Sequence, residues 1–159
     1  MKVWAIVGDA NTRKSSAIRG LTGAWNRQAD WRLALSNNAE IRVFVEISAP
    51  QERRPKALPP PDFVAMVQRE IQGADTTHLI VALRHDATTT CPHDALAYLD
   101  HFVNVAKWRI EGICLTGNRR PVTPFIRFDP NAFTVNVDYD PYDASNVVAR
   151  QIRSRWGYA

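Results

Sequence analysis

The sequence predicts an α/β fold in which helices cover both faces of a mostly parallel five-stranded sheet, giving three layers. Short apolar runs with the period of a strand alternate along the chain with longer segments of helical period. One run, His78 to Leu83, is apolar almost throughout, as is typical of a central parallel strand. The length of 159 residues, 45 % of them hydrophobic, fits a single domain, 1–159, with a substantial core.

Two strands and one helix are predicted in the first third of the chain. Strand one is Val3 to Val7, and helix one begins near Lys14. The inward face of this helix is expected to carry Ile18, Leu21 and Trp25. Strand two, Ile41 to Ile47, alternates apolar residues with Arg42, Phe44 and Glu46. Because alternation indicates one less buried face, strand two is expected towards an edge of the sheet.

A proline-rich segment separates this part from the next helices and strands. Five prolines between Ser48 and Pro61 exclude a helix there. Helix two follows and ends at Gly73, and strand three is His78 to Leu83. Helix three is predicted to start near Pro92, and strand four is Ile110 to Leu115.

The C-terminal part is predicted to hold two short strands and a last helix. The strands are Phe125 to Phe128 and Phe133 to Val137, with a turn at Asp129-Pro130-Asn131 between them. Asp143 is a suitable N-cap for the helix, since its carboxylate can accept from free backbone N–H groups.

The stretch from Val3 to Ser16 has the layout of a phosphate-binding loop. Strand one runs into Gly8, a short polar loop follows, and Lys14, Ser15 and Ser16 open helix one. In such a frame the backbone N–H groups and the helix dipole face an anion. The lysine reaches the outer phosphates and the serine hydroxyl ligates magnesium.

These residues give the segment Val3 to Gly23 a resemblance to the P-loop NTPases. Their GTPase variant reads G-x-x-N-x-G-K-S-S, and the residues that fit it are Gly8, Asn11, Lys14, Ser15 and Ser16. The resemblance implies the strand order 2-3-1-4-5 of simple nucleotide kinases and GTPases. It also implies Mg²⁺ with ATP or GTP as cofactor, Lys14 as a catalytic charge, and phosphate contacts from the loop that includes Thr12.

One position departs from the pattern, because Arg13 stands where glycine precedes the lysine. Glycine lets the backbone approach a phosphate closely, since it has no Cβ. In one interpretation the Arg13 guanidinium itself binds phosphate and stabilises charge during catalysis. In the other the loop is degenerate and only packs a helix on a strand.

Cations gather in the loops that follow strands one to four. They are Arg13, Lys14, Arg53, Arg54, Lys56, Arg84, Arg119 and Arg120. Because these loops open at the same edge of a parallel sheet, they favour a polyanion such as a triphosphate or a nucleic-acid backbone. Arg53 or Arg54, on the proline-bounded loop, is expected to close over the ligand.

Hydrolysis would need a second magnesium ligand beside Ser15, usually an acid at the end of a neighbouring strand. Strand three ends in Arg84 instead, and the nearest acid is Asp86. Asp86 is therefore the candidate second metal ligand and a candidate catalytic residue, with Glu46 and Glu52 as alternatives.

The base of the nucleotide is not specified by the sequence. GTPases read guanine with N-K-x-D, and the stretch after strand four offers Asn118 followed by Arg119 as candidate ligand contacts. However, Pro121 occupies the aspartate position. Adenine and guanine therefore both stay open.

The function predicted is binding of a nucleoside triphosphate through a variant P-loop, with hydrolysis or phosphoryl transfer as its extension. The alternative is a non-enzymatic regulatory module that binds a nucleotide or nucleic acid with a degenerate loop.

No apolar run approaches the ~20 residues of a membrane helix, so no membrane partner is expected. The start of the chain lacks a signal-peptide pattern, and two cysteines make no disulfide framework, so the expected location is the cytoplasm.

Overall fold

The computed structural model describes residues 1–26, 28–117, 121–135 and 144–158. The strands are β1 (Lys2–Gly8), β2 (Gln28–Ala34), β3 (Glu40–Glu46), β4 (His78–Arg84), β5 (Arg109–Thr116) and β6 (Phe133–Val135). The α-helices are α1 (Lys14–Thr22), α2 (Pro60–Glu70), α3 (Ala95–Asn104) and α4 (Ala144–Trp156). Short 3₁₀ turns occupy Pro50–Glu52 and Thr123–Phe125.

The six strands form one sheet in the order β2-β3-β4-β1-β5-β6. Neighbouring strands are parallel except for the antiparallel pair of β2 and β3. The predicted α/β class with a mostly parallel sheet is therefore confirmed, whereas the predicted count of five strands is wrong. The predicted strands one, two, three and four are β1, β3, β4 and β5, and β6 takes the place of the predicted strand five. If β2 is left out, the observed order in the predicted numbering is therefore 2-3-1-4-5, as expected.

Strand β2 is the element that the sequence analysis missed. It forms a hairpin with β3, in which Trp31 lies opposite Val43 and Leu33 opposite Ile41. This hairpin also corrects the position of the predicted strand two, which is β3 and lies one strand in from the edge. A signal was present in the sequence, since Asn37 and Asn38 are typical turn residues, and Asn38 has φ 64°.

Two buried clusters pack against opposite faces of the sheet. Successive residues of β1 alternate between them, with Ala5 in one cluster and Ile6 in the other. The first cluster includes Phe63 of α2 and Phe102 of α3. The second includes Ile18 of α1 and contributions from α4. Helices therefore cover both faces of the sheet.

Three local predictions are wrong. Phe125 to Phe128 is not a strand, because a 3₁₀ turn at Thr123–Phe125 leads into further turns. Trp25 does not pack inward: α1 ends at Thr22, the chain turns at Gly23 in the left-handed conformation, and Trp25 is 83 % exposed. Helix α3 starts at Ala95 and not near Pro92, because the carboxylate of Asp94 accepts from the Ala97 N–H and caps the helix there.

Two further predictions extend beyond the residues that the structure describes. Asp143, the expected N-cap of the last helix, lies outside them, as do the final two residues of the predicted strand Phe133 to Val137.

The parallel strands bring several chain segments to one edge of the sheet. Gly8 at the end of β1 pairs with Arg84 at the end of β4 and with Thr116 at the end of β5. The loops that follow these strands therefore start side by side, at the edge where ligands bind in such folds.

None of the helices in the described part of the chain has the length and apolar character needed to span a bilayer.

Candidate functional site

The loop after β1 is closely packed around Gly8. A Cβ on Gly8 would lie 2.3 Å from Thr12 Oγ1, 2.5 Å from Thr116 Oγ1 and 2.6 Å from the Thr116 carbonyl oxygen. The Thr12 hydroxyl donates to the Asp9 carbonyl at 2.9 Å and lies 3.1 Å from Thr116 Oγ1. Glycine is therefore required at the start of the loop for steric reasons, and the loop is fixed to the end of β5.

Two residues of this loop adopt the left-handed conformation. Asn11 has φ 60°, and Arg13, the N-cap of α1, has φ 60° and ψ 21°. Asparagine tolerates this region, whereas for arginine it costs roughly 1–2 kcal/mol relative to glycine. Arg13 thus has a backbone conformation that favours glycine, at the position where the P-loop pattern has one.

Lys14 is the first residue of α1 and is buried, with 6 % of its surface exposed. Its Nζ donates to the Asp9 carbonyl oxygen at 2.5 Å. Burial lowers the pKa of Lys14 below its ordinary 10.5, Glu52 raises it, and Arg84 lowers it further. The ammonium is therefore held at the helix N-terminus at a cost in desolvation.

A cleft of about 360 Å³ opens in front of α1. Its lining comprises Ala10, Asn11, Arg13, Lys14, Ser15, Ser16 and Glu52. The Ser15 hydroxyl donates to the Ile47 carbonyl at 2.9 Å, which fixes its side chain against the end of β3. We call this the loop cleft.

Arg53 and Arg54 line a second, larger cleft of about 680 Å³, which we call the arginine cleft. Its walls are the segment Gln51 to Ala57, Arg84 and the threonines 88–90. Gln51 is fully buried and fixes this segment to the end of β4, because its side-chain amide exchanges hydrogen bonds with the Arg84 backbone at 3.1 and 3.2 Å.

Glu52 lines both clefts and separates them. One of its carboxylate oxygens accepts from the Arg84 guanidinium at 3.1 Å. Glu52 and Arg84 also act in opposite directions on the pKa of Lys14. The two clefts are therefore electrostatically connected, although their lining residues differ otherwise.

A group of potential metal ligands lies near the loop. Single ligand atoms of Asp9, His85 and Asp86 all lie within 4.8 Å of one another. The His85 backbone N–H donates to the Gly8 carbonyl at 3.0 Å, which aligns the turn after β4 with the loop after β1. The His85 ring also lies 2.8 Å from an Asp86 oxygen. Two carboxylates and an imidazole are a suitable donor set for a divalent cation.

The structure divides the residues predicted from sequence into groups. Gly8, Thr12 and the residues of the loop cleft come together, whereas Arg53 and Arg54 line the arginine cleft. Asp86 lies with Asp9 and His85, while the Ser15 hydroxyl bonds to the end of β3. Asn118 and Arg119, with Arg120, fall outside the described residues.

His85 and Gln51 were not among the site residues predicted from the sequence. His85 directly follows Arg84 at the end of a central strand, so its position at the ligand edge was a usable signal. Gln51 offered none, because nothing in the sequence shows that its amide pairs with the backbone of a residue 33 positions away.

No protein-family model, curated protein or solved structure matches this chain.

Proposed function

We propose that the loop cleft binds the phosphate chain of a nucleoside triphosphate. The observation that carries this proposal is the buried Lys14 ammonium at the N-terminus of α1. Burial of a cation is unfavourable unless opposite charge or hydrogen bonds compensate for it. A phosphate in the cleft would supply that charge, and the dipole and free N–H groups of the first helical turn would favour the same ligand.

The backbone of Arg13 supports this interpretation of the loop. A left-handed residue directly before the lysine is what the P-loop pattern achieves with glycine, and here the chain keeps that conformation at a cost. The Arg13 side chain lines the cleft, so its guanidinium adds a cation beside Lys14. Arg13 then serves as a charge that binds phosphate oxygens.

The cation that accompanies the triphosphate would be held by Asp9, His85 and Asp86, which adjoin the loop because the His85 N–H donates to the Gly8 carbonyl. The donor set fits a divalent ion: carboxylate oxygens suit Mg²⁺ and Mn²⁺, and the imidazole suits Zn²⁺ and other transition-metal ions. Such an ion would neutralise phosphate charge and polarise the bond to be broken. On this basis we propose hydrolysis or phosphoryl transfer as the reaction.

The alternative is a module that binds the nucleotide without turning it over. One observation favours it: β4 ends in Arg84, whose guanidinium pairs with Glu52, where a metal-binding acid would be expected. The two functions differ in one measurement, since only the enzyme releases phosphate from ATP or GTP in the presence of Mg²⁺ or Mn²⁺. Asp86→Asn should abolish that release if the cation is held as proposed.

Calorimetric titration of ATP and of inorganic pyrophosphate into parent and Lys14→Ala protein tests the binding itself. We expect affinity to fall at least tenfold, or about 1.4 kcal/mol, because the buried ammonium is lost. Lys2→Ala is the matched control, since it removes the same charge from an exposed position at the other end of β1. Equal affinity in Lys14→Ala and parent would reject the proposal.

Arg13→Gly separates a working loop from a degenerate one. In a working loop the substitution removes a phosphate contact, so nucleotide affinity should fall although the backbone is relaxed. In a degenerate loop the arginine obstructs the cleft, so its removal should raise affinity. We expect the fall, and a gain in affinity would show that Arg13 blocks the site.

A further inference from the structure

The arginine cleft is a site with its own chemistry, distinct from the loop cleft. It has about 680 Å³ of space, within the range of small-molecule sites. Four cations line it against one acid: Arg53, Arg54, Lys56 and Arg84 against Glu52. Glu52 is engaged by Arg84, so the remaining charge of the cleft is strongly positive.

One donor in its wall lacks a partner. The Arg84 Nε is buried, and among the described residues no acceptor bonds to it. Buried donors are nearly always satisfied by protein, water or ligand. The rest of this side chain is fixed, because Glu52 accepts from Nη1 and the Gln51 amide holds the Arg84 backbone. The protein alone therefore leaves a polar group of Arg84 unsatisfied beside the cations that line the cleft.

The walls of the cleft are preformed. On one side Leu58 N–H donates to the Pro50 carbonyl at 3.0 Å, and the Tyr98 hydroxyl donates to the Leu58 carbonyl. On the other side Thr88 and Cys91 form a tight antiparallel bridge, in which the Thr88 hydroxyl accepts from the Cys91 N–H at 2.9 Å. A preformed site loses less conformational entropy when it binds.

The lining also limits the kind of ligand. Arginine and lysine suit the oxygens of a phosphate, and the threonine hydroxyls add donors and acceptors for a polar body. None of the described lining residues is aromatic, so the cleft offers no ring on which a base could stack.

We propose that the arginine cleft binds a second ligand, a small phosphate monoester with a polar, sugar-like body. Its phosphate would lie between Arg84 and the cations of the Gln51 to Ala57 segment, and its hydroxyls would face Thr89 and Thr90. This inference does not depend on nucleotide binding in the loop cleft. In this proposal Arg53 and Arg54 contact the phosphate monoester and do not close over the nucleotide in the loop cleft.

Backbone amide NMR with ribose 5-phosphate as the probe tests the proposal. We expect the Thr89 and Thr90 signals to shift saturably, with an affinity that falls at least about tenfold in Arg54→Ala/Lys56→Ala. Both side chains are exposed, so this variant should fold. Lys14→Ala should retain the shifts, which distinguishes this site from the loop cleft. Ribose, which lacks the phosphate, should leave the signals unchanged, whereas equal shifts with ribose would reject the phosphate as the recognised group.

The double variant Arg32→Ala/Arg69→Ala is the control for net charge, because both residues are exposed and line neither cleft. The proposal is wrong if this control weakens binding as much as Arg54→Ala/Lys56→Ala does. It is also wrong if ribose 5-phosphate shifts only the Ser15 and Ser16 signals, or if Lys14→Ala removes all binding. A further outcome is that Lys14→Ala leaves ATP affinity unchanged while Arg54→Ala/Lys56→Ala still weakens the binding of ribose 5-phosphate. In that case the nucleotide proposal fails and the proposal for the arginine cleft stands.

Discussion

The two ends of the sheet differ in what they do for the fold. At the carboxyl end lie features that oppose stability, namely the left-handed Arg13 and the buried Lys14 ammonium. At the amino end lies an aromatic cluster, in which Trp4 stacks on His78 with centroids 5.0 Å apart and meets Tyr158 edge-on at 5.2 Å. Strain concentrates at functional sites and is tolerated where packing elsewhere holds the fold.

Substitutions at the two ends should therefore have different effects on stability and on ligand affinity. Changes in the aromatic cluster should reduce stability and leave ligand affinity unchanged. Changes at the carboxyl end should alter affinity, and some should increase stability.

The largest effect is expected for Trp4→Ala. Trp4 is 7 % exposed and central to the aromatic cluster, so its truncation should lower the free energy of unfolding by about 3–5 kcal/mol in urea denaturation. Trp25→Ala is the matched control: this side chain is 83 % exposed and its loss should change stability by less than ~0.5 kcal/mol. Similar losses in both variants would contradict a stabilising role for the buried Trp4 ring in the aromatic cluster.

Gly8→Ala should come next. The new Cβ would meet the Thr116 carbonyl at 2.6 Å, and a backbone atom cannot move aside as a flexible side chain can. We expect a loss of about 1–3 kcal/mol in thermal or urea unfolding, together with weaker pyrophosphate binding.

Gly73→Ala serves as its comparison. A Cβ there meets nothing within 4 Å, but φ is +77°, so only the backbone strain of about 1 kcal/mol is expected, with unchanged binding. If the two alanines have the same effect on binding, close packing at Gly8 does not shape the loop.

Lys14→Met should stabilise the protein without ligand while weakening nucleotide binding. Removal of the buried charge should raise the free energy of unfolding by about 1 kcal/mol at neutral pH, net of the lost hydrogen bond to Asp9. Because burial lowers the pKa of Lys14, the unfolded chain binds this proton more tightly. The parent therefore gains stability as the pH rises towards 10.5, and the advantage of Lys14→Met should shrink.

Urea denaturation at several pH values measures this difference, with exposed Lys2→Met as the control. A destabilised Lys14→Met at neutral pH would mean that the ammonium already contributes to the fold without an anion.

The smallest effect concerns His78 in the aromatic cluster. Burial lowers the pKa of His78 below its ordinary 6.5, and nearby Lys2 lowers it further. The folded protein therefore binds this proton less readily than the unfolded chain, so stability should fall as the pH drops below 6.5, by at most about 1 kcal/mol. His78→Gln should flatten this part of the stability profile in urea denaturation, and an unchanged slope would contradict the role of His78.

The sequence by itself determined the features that depend on local pattern. The period of apolar residues identified β1, β3, β4 and β5 and predicted a mostly parallel sheet. The succession of a strand, Gly8 and Lys14 predicted an anion site at a helix N-terminus, because strand, loop and helix are contiguous in the chain.

Tertiary structure decided what depends on pairing between distant segments. Gln28–Ala34 carries only a weak strand pattern and is a strand because β3 pairs with it. Arg53 and Arg54 belong to a separate cleft because the Gln51 amide fixes their segment to β4. Asp9, His85 and Asp86 meet because two parallel strands end side by side, which no pattern within a single segment encodes.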